Sequence, residues 1–210
     1  MSVGRLITFE GIEGCGKTTQ LRLLARRLED SGLAVVTTRE PGGTALGERV
    51  RVLLLDPLLV PVAVGELFLL EAARSQVVAE VIRPALDAGK FVLSDRFADS
   101  SVAYQAGARG IDRAAVEQLN ALACAGIVPD RTLVFDLDVE LALARARHRP
   151  STTAANRRFE DEAICFHRAV AAAYHDLARR EPNRVVLVDA TGTAEEVHAR
   201  AVTAVGDLIA

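Results

Sequence analysis

Short apolar runs alternate with segments of helical periodicity along most of the 210-residue chain. Five runs are rich in β-branched and other apolar residues and end in glycine or charged residues, which is typical of buried strands. Between them apolar residues recur three or four positions apart, as at Leu21, Leu24 and Leu28, and this spacing predicts helices. The predicted strands are 5–10, 34–38, 90–94, 132–136 and 184–189. The predicted helices are 17–30, 46–55, 64–88, 113–125, 140–147, 159–180 and 194–209, with a bend expected at Pro84.

This alternation predicts an α/β fold, a five-stranded doubly wound parallel sheet covered on both faces in three layers. The chain shows neither an internal repeat nor a linker, so residues 1–210 are expected to form a single domain. In such sheets ligands bind beyond the carboxyl ends of the strands. The polar motifs of the chain follow predicted strands, as this rule requires: GIEGCGKT, REPGG, DR and DATG.

Composition and charge limit the classes of molecule that the protein is expected to bind. Half of the residues are hydrophobic and a quarter are charged, as in globular proteins, and the net charge is −3. This net charge argues against a protein whose main function is to bind nucleic acid, because such binding needs excess basic surface. No segment is long and apolar enough to predict a membrane span or a secretory signal. The three cysteines are far apart, without metal or disulfide spacing, so we expect a cytoplasmic protein without nucleic-acid or membrane partners.

The segment from Gly11 to Thr18 reads G-x-x-x-x-G-K-T between a predicted strand and a predicted helix. Its backbone N–H groups would form an anion-binding nest, and the helix N-terminus adds positive potential. Lys17 would reach the β- and γ-phosphates of a nucleotide, and Thr18 would ligate Mg²⁺. The alternative, a glycine-rich turn with a chance lysine, does not explain the strand–loop–helix context.

Two further motifs follow strands. Asp95 and Arg96 are either a surface ion pair or a site in which Asp95 holds the waters of Mg²⁺ and Arg96 clamps a phosphate. Segment 39–43, REPGG, is either a plain βα connection or a loop that binds an acceptor, and its spacing favours neither.

A run of arginines lies between two predicted helices, at 145–158. Such a run is usually a solvated face. A phosphotransfer enzyme, however, needs a mobile cover that excludes water and supplies cations, which this loop could provide. The four histidines, His148, His167, His175 and His198, lie in no catalytic pattern and are interpreted as surface or structural residues. Cys15 is interpreted as a small side chain tolerated in the loop.

The motifs FEGIEGCGKTTQ, TREPGGT, EAARSQ, SDRFADSSVAYQAGARG and PDRTLVFDLD, in this order, resemble the bacterial thymidylate kinases among P-loop nucleoside monophosphate kinases. The resemblance covers most of the chain. It implies transfer of the γ-phosphoryl group of ATP to dTMP with Mg²⁺, giving ADP and dTDP. It also implies the strand order 2-3-1-4-5, a lid at about 146–159 and a homodimer.

The resemblance assigns roles residue by residue. The implied catalytic residues are Lys17, Asp95, Arg96 and Arg158, and the implied metal ligands are Thr18, Glu40 and Asp95. The implied ATP-binding residues are Gly11, Ile12, Glu13, Gly14, Cys15, Gly16, Lys17, Thr18 and Thr19. The implied dTMP-binding residues are Glu13, Arg39, Glu40, Leu70, Arg74, Arg96, Ser100, Ser101, Tyr104 and Gln105.

Within this set Arg74 is expected to bind a thymine carbonyl, and Tyr104 to pack on the deoxyribose, where it would crowd a 2′-hydroxyl. Glu13 is expected to bind the acceptor's 3′-hydroxyl; the alternative is an exposed acid on a turn. Leu70 stands where the family usually has an aromatic residue that stacks on thymine. Cys15 replaces the basic loop residue of some members, so the catalytic cation is expected from Arg158 in the lid.

Three other functions compete with this one. A kinase for a different nucleoside monophosphate would differ only at the acceptor site. A GTP-binding switch would need an Asn-Lys-x-Asp motif, which the sequence does not contain. A regulatory nucleotide-binding module without turnover would not need Asp95, Arg96 and an arginine-rich loop.

Overall fold

The computed structural model of the chain describes residues 4–148, 159 and 162–209. Its centre is a sheet of five parallel strands in the order β2-β3-β1-β4-β5, which confirms the expected topology. The strands are β1 Arg5–Glu10, β2 Val35–Arg39, β3 Phe91–Asp95, β4 Arg131–Asp136 and β5 Val185–Asp189. Each lies within one residue of its predicted bounds.

Helices connect the strands. The α-helices are α1 Lys17–Asp30, α2 Ala45–Leu55, α3 Ala63–Val77, α4 Arg83–Asp87, α5 Ala98–Ser101, α6 Arg113–Cys124, α7 Val139–Arg147, α8 Ile164–Arg180 and α9 Ala194–Ala204. Two π-helical segments, π1 Val78–Ile82 and π2 Val102–Ala108, and a 3₁₀ turn at Gly206–Leu208 complete the described helices.

Apolar side chains of the central strands pack on both faces of the sheet. Leu6 and its neighbour Val92 belong to a cluster formed with π1 and α4. The next residues along these strands, Ile7 and Leu93, belong to the larger cluster that contains the apolar faces of α1 and α9. Successive strand residues point to opposite faces, so helices cover both faces of the sheet. This is the three-layer arrangement that the sequence predicts.

The register brings the polar ends of the strands together. Asp95 lies opposite Phe9 on one side and Arg39 on the other. Asp136 lies opposite Asp189 in the β4–β5 pair. Because all five strands are parallel, the segments that follow them emerge along one edge of the sheet.

The predicted helix 64–88 contains a wide turn. α3 continues into π1 and then α4, and π1 comes just before Pro84, where the sequence predicts a bend. Proline has no amide hydrogen for the carbonyl four residues back, and a π-turn is a local answer to a disturbed hydrogen-bond ladder.

Two helix bounds predicted from periodicity are wrong. α8 begins at Ile164 rather than at Phe159, which lies in a turn with its ring edge-on to Tyr104. Phe159 is apolar because it covers another ring, and not because it continues a helical face. The last predicted helix, 194–209, ends at Ala204 and is followed by the 3₁₀ turn.

Candidate active site

The loop between β1 and α1 is shaped by glycines. Gly14 has φ of 82°, and a Cβ atom there would lie 1.8 Å from the carbonyl oxygen of Ala142 in α7. Any other residue would therefore clash with backbone. Gly16, with φ of 101°, leads directly into α1 without a side-chain cap. No side-chain cap therefore competes with an anion for the first amide groups of α1.

Lys17 folds back over this loop. Its Nζ donates hydrogen bonds to the carbonyl oxygens of Gly11 at 3.0 Å and Ile12 at 2.8 Å, and lies 3.6 Å from the Sγ of Cys15. The ammonium group is therefore held at the rim of the amide nest, where a nucleotide phosphate would meet it.

Thr18 and Asp95 meet across the start of α1 and the end of β3. The Oγ1 of Thr18 donates to the Oδ2 of Asp95 at 2.6 Å. This contact places a hydroxyl and a carboxylate side by side at the edge of the loop.

Arg96 links this loop to the segment after β3. Its Nη2 donates to the Oε1 of Glu13 at 2.8 Å and to the hydroxyl of Tyr104 at 2.9 Å. Its guanidinium also lies over the ring of Tyr104, 4.8 Å from the centroid. The backbone of Arg96 is left-handed, with φ of 74°, a conformation that costs a non-glycine residue about 1–2 kcal/mol. In this conformation the side chain of Arg96 reaches Glu13 in the loop.

Glu13 stays ionised in this setting. Burial alone would raise the pKa of its carboxyl, but Arg96, Lys17 and Tyr104 together hold that pKa well below its usual range. The carboxylate is thus neutralised by side chains, and the expectation of an exposed acid on a turn does not fit its 15% side-chain exposure.

Glu10, at the end of β1, anchors the segment that carries Arg96. Its carboxylate accepts from the amide of Phe97 at 2.8 Å and from the hydroxyls of Ser100 at 2.6 Å and Tyr174 at 2.7 Å. Burial raises the pKa of Glu10. The sequence analysis did not select Glu10, although an acidic residue at the end of an apolar strand could have indicated it.

Arg74 is a buried hub on α3. Its Nε donates to Glu40 at 2.8 Å, and its Nη1 donates to Glu71 at 2.6 Å and to Ser101 at 2.9 Å. It also donates to the Oδ1 of Asn120 at 2.6 Å. Burial opposes its charge, but Glu40 and Glu71 outweigh burial and raise the pKa of Arg74. Burial raises the pKa of Glu40 to about 7 despite the attraction of Arg74.

Gln105, Leu70 and Arg39 complete the set of predicted acceptor residues. Gln105 donates from Nε2 to Glu66 at 3.0 Å, and its Oε1 has no hydrogen-bond partner among the described residues. Leu70 is half-buried and packs on the small cluster between α2 and α3, while Phe68 points outward and is 56% exposed. The Nη2 of Arg39 instead donates to both carboxylate oxygens of Glu48, at 3.0 and 2.8 Å.

Among the described residues, two of the larger cavities open beside the loop. One, of about 490 Å³, lies between the loop and the β5–α9 connection. The other, of about 520 Å³, lies between α1 and β2 and reaches Thr18, Arg39 and Asp95. The first cavity includes residues outside the predicted ATP-binding set: Arg145 from the arginine run, Ala190 from DATG, and Thr193, Ala194 and Val197, which the sequence analysis did not select. The polar DATG after β5 was the signal that pointed toward them.

Known proteins share this architecture. A family model described as thymidylate kinase matches residues 9–201. The chain belongs to the thymidylate kinase family. A curated thymidylate kinase from Pelobacter propionicus is 50% identical over 198 residues, which are 93% of this chain and 90% of that protein. One from Deinococcus radiodurans is 46% identical over 207 residues, 99% of this chain and 98% of that protein.

The crystal structure of thymidylate kinase from Ehrlichia chaffeensis matches with a TM-score of 0.77 at 33% identity. The match covers 96% of this chain and 98% of that one. The fold and family expected from the motifs are thus confirmed, including the nucleoside monophosphate kinase class of enzyme.

Some of the residues predicted to act in a thymidylate kinase lie outside the described residues. Arg158, the predicted lid cation, is not described, and neither is most of the predicted lid at 146–159. Both stay predictions, as does the treatment of 1–210 as one domain. None of the helices in the described ranges is long and apolar enough to cross a membrane.

Proposed function

We propose that this chain transfers the γ-phosphoryl group of ATP to dTMP, giving ADP and dTDP. The observation that carries the proposal is the 2.8 Å ion pair between Glu13 in the phosphate-binding loop and Arg96 after β3. It joins the loop that holds a donor phosphate to the segment expected to hold the acceptor. Family membership along nearly the whole chain supports the same reaction.

On the donor side, the amides of residues 11–19 would bind the ATP phosphates together with Lys17. This role is consistent with the open N-terminus of α1 and with the position of Nζ at the rim of the loop. The 490 Å³ cavity beside Arg145 and Thr193 is of a size for a nucleoside.

On the acceptor side, Arg74, Ser101 and Gln105 would meet the thymine base, and Tyr104 the deoxyribose. The unpartnered Oε1 of Gln105 supports a donor such as a base N–H on the ligand. The remaining proposed acceptor residues are Glu13, Arg39, Glu40, Leu70, Arg96 and Ser100. Because Arg74 is already held by Glu40 and Glu71, it would act as a fixed donor.

Mg²⁺ fits the oxygen ligands at the edge of the loop. Thr18 and Asp95 offer a hydroxyl and a carboxylate 2.6 Å apart, the hard ligands that this ion prefers, and it commonly uses one or two protein oxygens. Glu40 is proposed as a further ligand through Oε1, which has no partner among the described residues. When bound with ATP, the ion would supply neutralisation of the phosphate charge.

Catalysis by these residues would be positioning and charge neutralisation. The nucleophile is a phosphate oxygen of dTMP, which is already ionised, so no strong general base is needed. Lys17 and Arg96 would hold donor and acceptor phosphates in line, and Arg158 would add a cation from the lid.

The deciding experiment offers ATP with a panel of monophosphates and measures ADP release. We expect the highest kcat/KM for dTMP, and weak use of UMP because Tyr104 leaves little room for a 2′-hydroxyl. K17A should lose at least about a hundredfold in kcat while it stays folded by circular dichroism. A different preferred monophosphate, or near-normal turnover by K17A, would overturn the proposal.

We also propose a cytoplasmic homodimer. The three cysteines are free, as expected in a reducing compartment. Most of the large apolar side chains exposed among the described residues lie on α2, on the start of α3 and between them. We call this surface the α2–α3 patch: Leu46, Val52, Leu53, Leu58, Leu59, Val60, Val62, Val64 and Phe68. A patch of this kind supports an interface with a second copy.

A further inference from the structure

His167, on α8, is fully buried and faces the phosphate-binding loop. Its Nδ1 lies 3.5 Å from the Oε2 of Glu13. Neither ring nitrogen of His167, nor Oε2 of Glu13, has a hydrogen-bond partner among the described residues. Buried polar atoms are almost always satisfied in native proteins. Two complementary groups that face each other slightly beyond hydrogen-bond length therefore need an explanation.

The other oxygen of Glu13 is fully occupied. Oε1 accepts from Arg96 at 2.8 Å and from the hydroxyl of Tyr104 at 2.8 Å. Arg96 is also the proposed clamp for the acceptor phosphate, so Glu13 and the phosphate compete for one guanidinium. When the phosphate takes it, Glu13 loses its main cation and gains a negative neighbour. Its carboxylate then needs another donor if it is to stay in place.

We propose that His167 is a positioning residue that donates from Nδ1 to the Oε2 of Glu13 once the acceptor phosphate engages Arg96. The carboxylate is thereby fixed from behind, and Oε1 is left to face the acceptor's sugar. A neutral Nδ1–H tautomer is sufficient, so no titration of the imidazole is required. The closure needed is only a few tenths of an ångström, and the edge-on contact with Phe166 holds the ring in line.

This inference rests on the proposed function and predicts a selective defect. H167F keeps a ring in the pocket and removes the donor, whereas H167N keeps a donor near the position of Nδ1. H175N is the matched control on the same helix, because His175 is half-exposed and pairs with Asp136 away from Glu13.

Steady-state kinetics should separate the variants. H167F should lower kcat/KM for dTMP by about tenfold, the size expected for one hydrogen bond to a charged group, and leave KM for ATP unchanged. H167N should recover most of the loss, and H175N should match the wild type. On an E13A background H167F should cost nothing further, since E13A removes both oxygens that could accept from His167.

The outcomes are distinct. A wild-type chain that does not turn over dTMP overturns the proposed function. If the wild type turns over dTMP but H167F is equal to it, or if the effects of E13A and H167F add, the role of His167 alone is overturned.

Should H167F fail to fold, long-range ¹⁵N–¹H spectra of the wild type decide the matter. We expect a proton on Nδ1 of His167, and ring signals that move when dTMP is added but stay still in E13A. An unprotonated Nδ1, or a dTMP response that survives in E13A, would refute the proposal.

Discussion

Glu13 is a carboxylate inside an anion-binding loop, and its compensation comes from outside that loop. Arg96 and Tyr104 bind one of its oxygens from the β3–α5 and π2 segments, and His167 faces the other from α8. The cradle for phosphate is made of backbone amides, which these side-chain contacts leave free. An acid in this loop is therefore compatible with a phosphate ligand.

The depressed pKa of Glu13 predicts a specific pH dependence of stability. A carboxyl whose pKa is lower in the folded chain stabilises it above the unfolded pKa of 4.5, and that contribution is lost as the pH falls below this value. E13Q should therefore be less stable than the wild type at neutral pH, by about 1–3 kcal/mol. The difference should be constant above about pH 6 and shrink as the pH falls toward about 4.

Urea unfolding of both proteins across this range measures the effect. The difference between the two free energies of unfolding cancels the titration of the other carboxyls. A difference that stays the same from neutral pH to about pH 4 would show that Glu13 is not held ionised by its partners.

Single residues could be predicted from sequence where the motif itself fixes their position. Lys17 and Thr18 follow from loop spacing, and Asp95 and Arg96 from the end of a strand. Their partners could not be predicted, because contact is made across the fold. Arg74 meets Glu40, Ser101 and Asn120 at separations of 34, 27 and 46 residues. The contact of His167 with Glu13 could not be predicted either, because helical periodicity places His167 on α8 without indicating which residue it faces.

Whole elements could be predicted where burial imposes a simple period. β1 and α1 have the predicted bounds because apolar strands and amphipathic helices follow from local spacing. α5 and π2 gave no such signal. Their buried positions include polar residues such as Asp99, Ser101 and Gln105, so the apolar period is broken where the chain serves the site. Tertiary contacts, and not propensity, decide the structure of this segment.

Arg74 forms hydrogen bonds to several elements, so its replacement should lower the free energy of unfolding. It joins α3 to the β2–α2 loop, α5 and α6. R74M should lower the free energy of unfolding by about 3–5 kcal/mol, since Glu40 and Glu71 would remain buried without their cation. R113M is the matched control, because Arg113 forms partly exposed surface pairs worth at most about 1 kcal/mol.

Urea unfolding at neutral pH compares the two arginine variants. Adding E40Q and E71Q to R74M should recover part of the loss, because the unpaired charges are then removed. The interpretation of Arg74 as an electrostatic hub would be wrong if R74M were no less stable than R113M.

At the scale of the whole molecule, the candidate active site and the exposed apolar surface lie in different parts of the fold. The parallel strands bring Glu10, Arg39 and Asp95 to one edge of the sheet, where the phosphate-binding loop lies. The α2–α3 patch instead presents exposed apolar side chains on helices whose inner residues, such as Leu54 and Leu67, are fully buried. Helices with buried residues on one side and apolar residues on the other are typical of subunit interfaces.

The α2–α3 patch predicts a dimer in solution that one buried charge would disrupt. Wild-type chain at micromolar concentration should sediment with twice the mass of one chain. F68D places a carboxylate in the patch, next to Val64 on the same helix face, and should shift the equilibrium to monomers because burying an unpaired charge is costly. V128D is the control: Val128 is 66% exposed but lies outside the patch, so the dimer should persist. Circular dichroism would check that both variants are folded. A wild type that is monomeric at every concentration, or a folded F68D that remains dimeric, would contradict the interface.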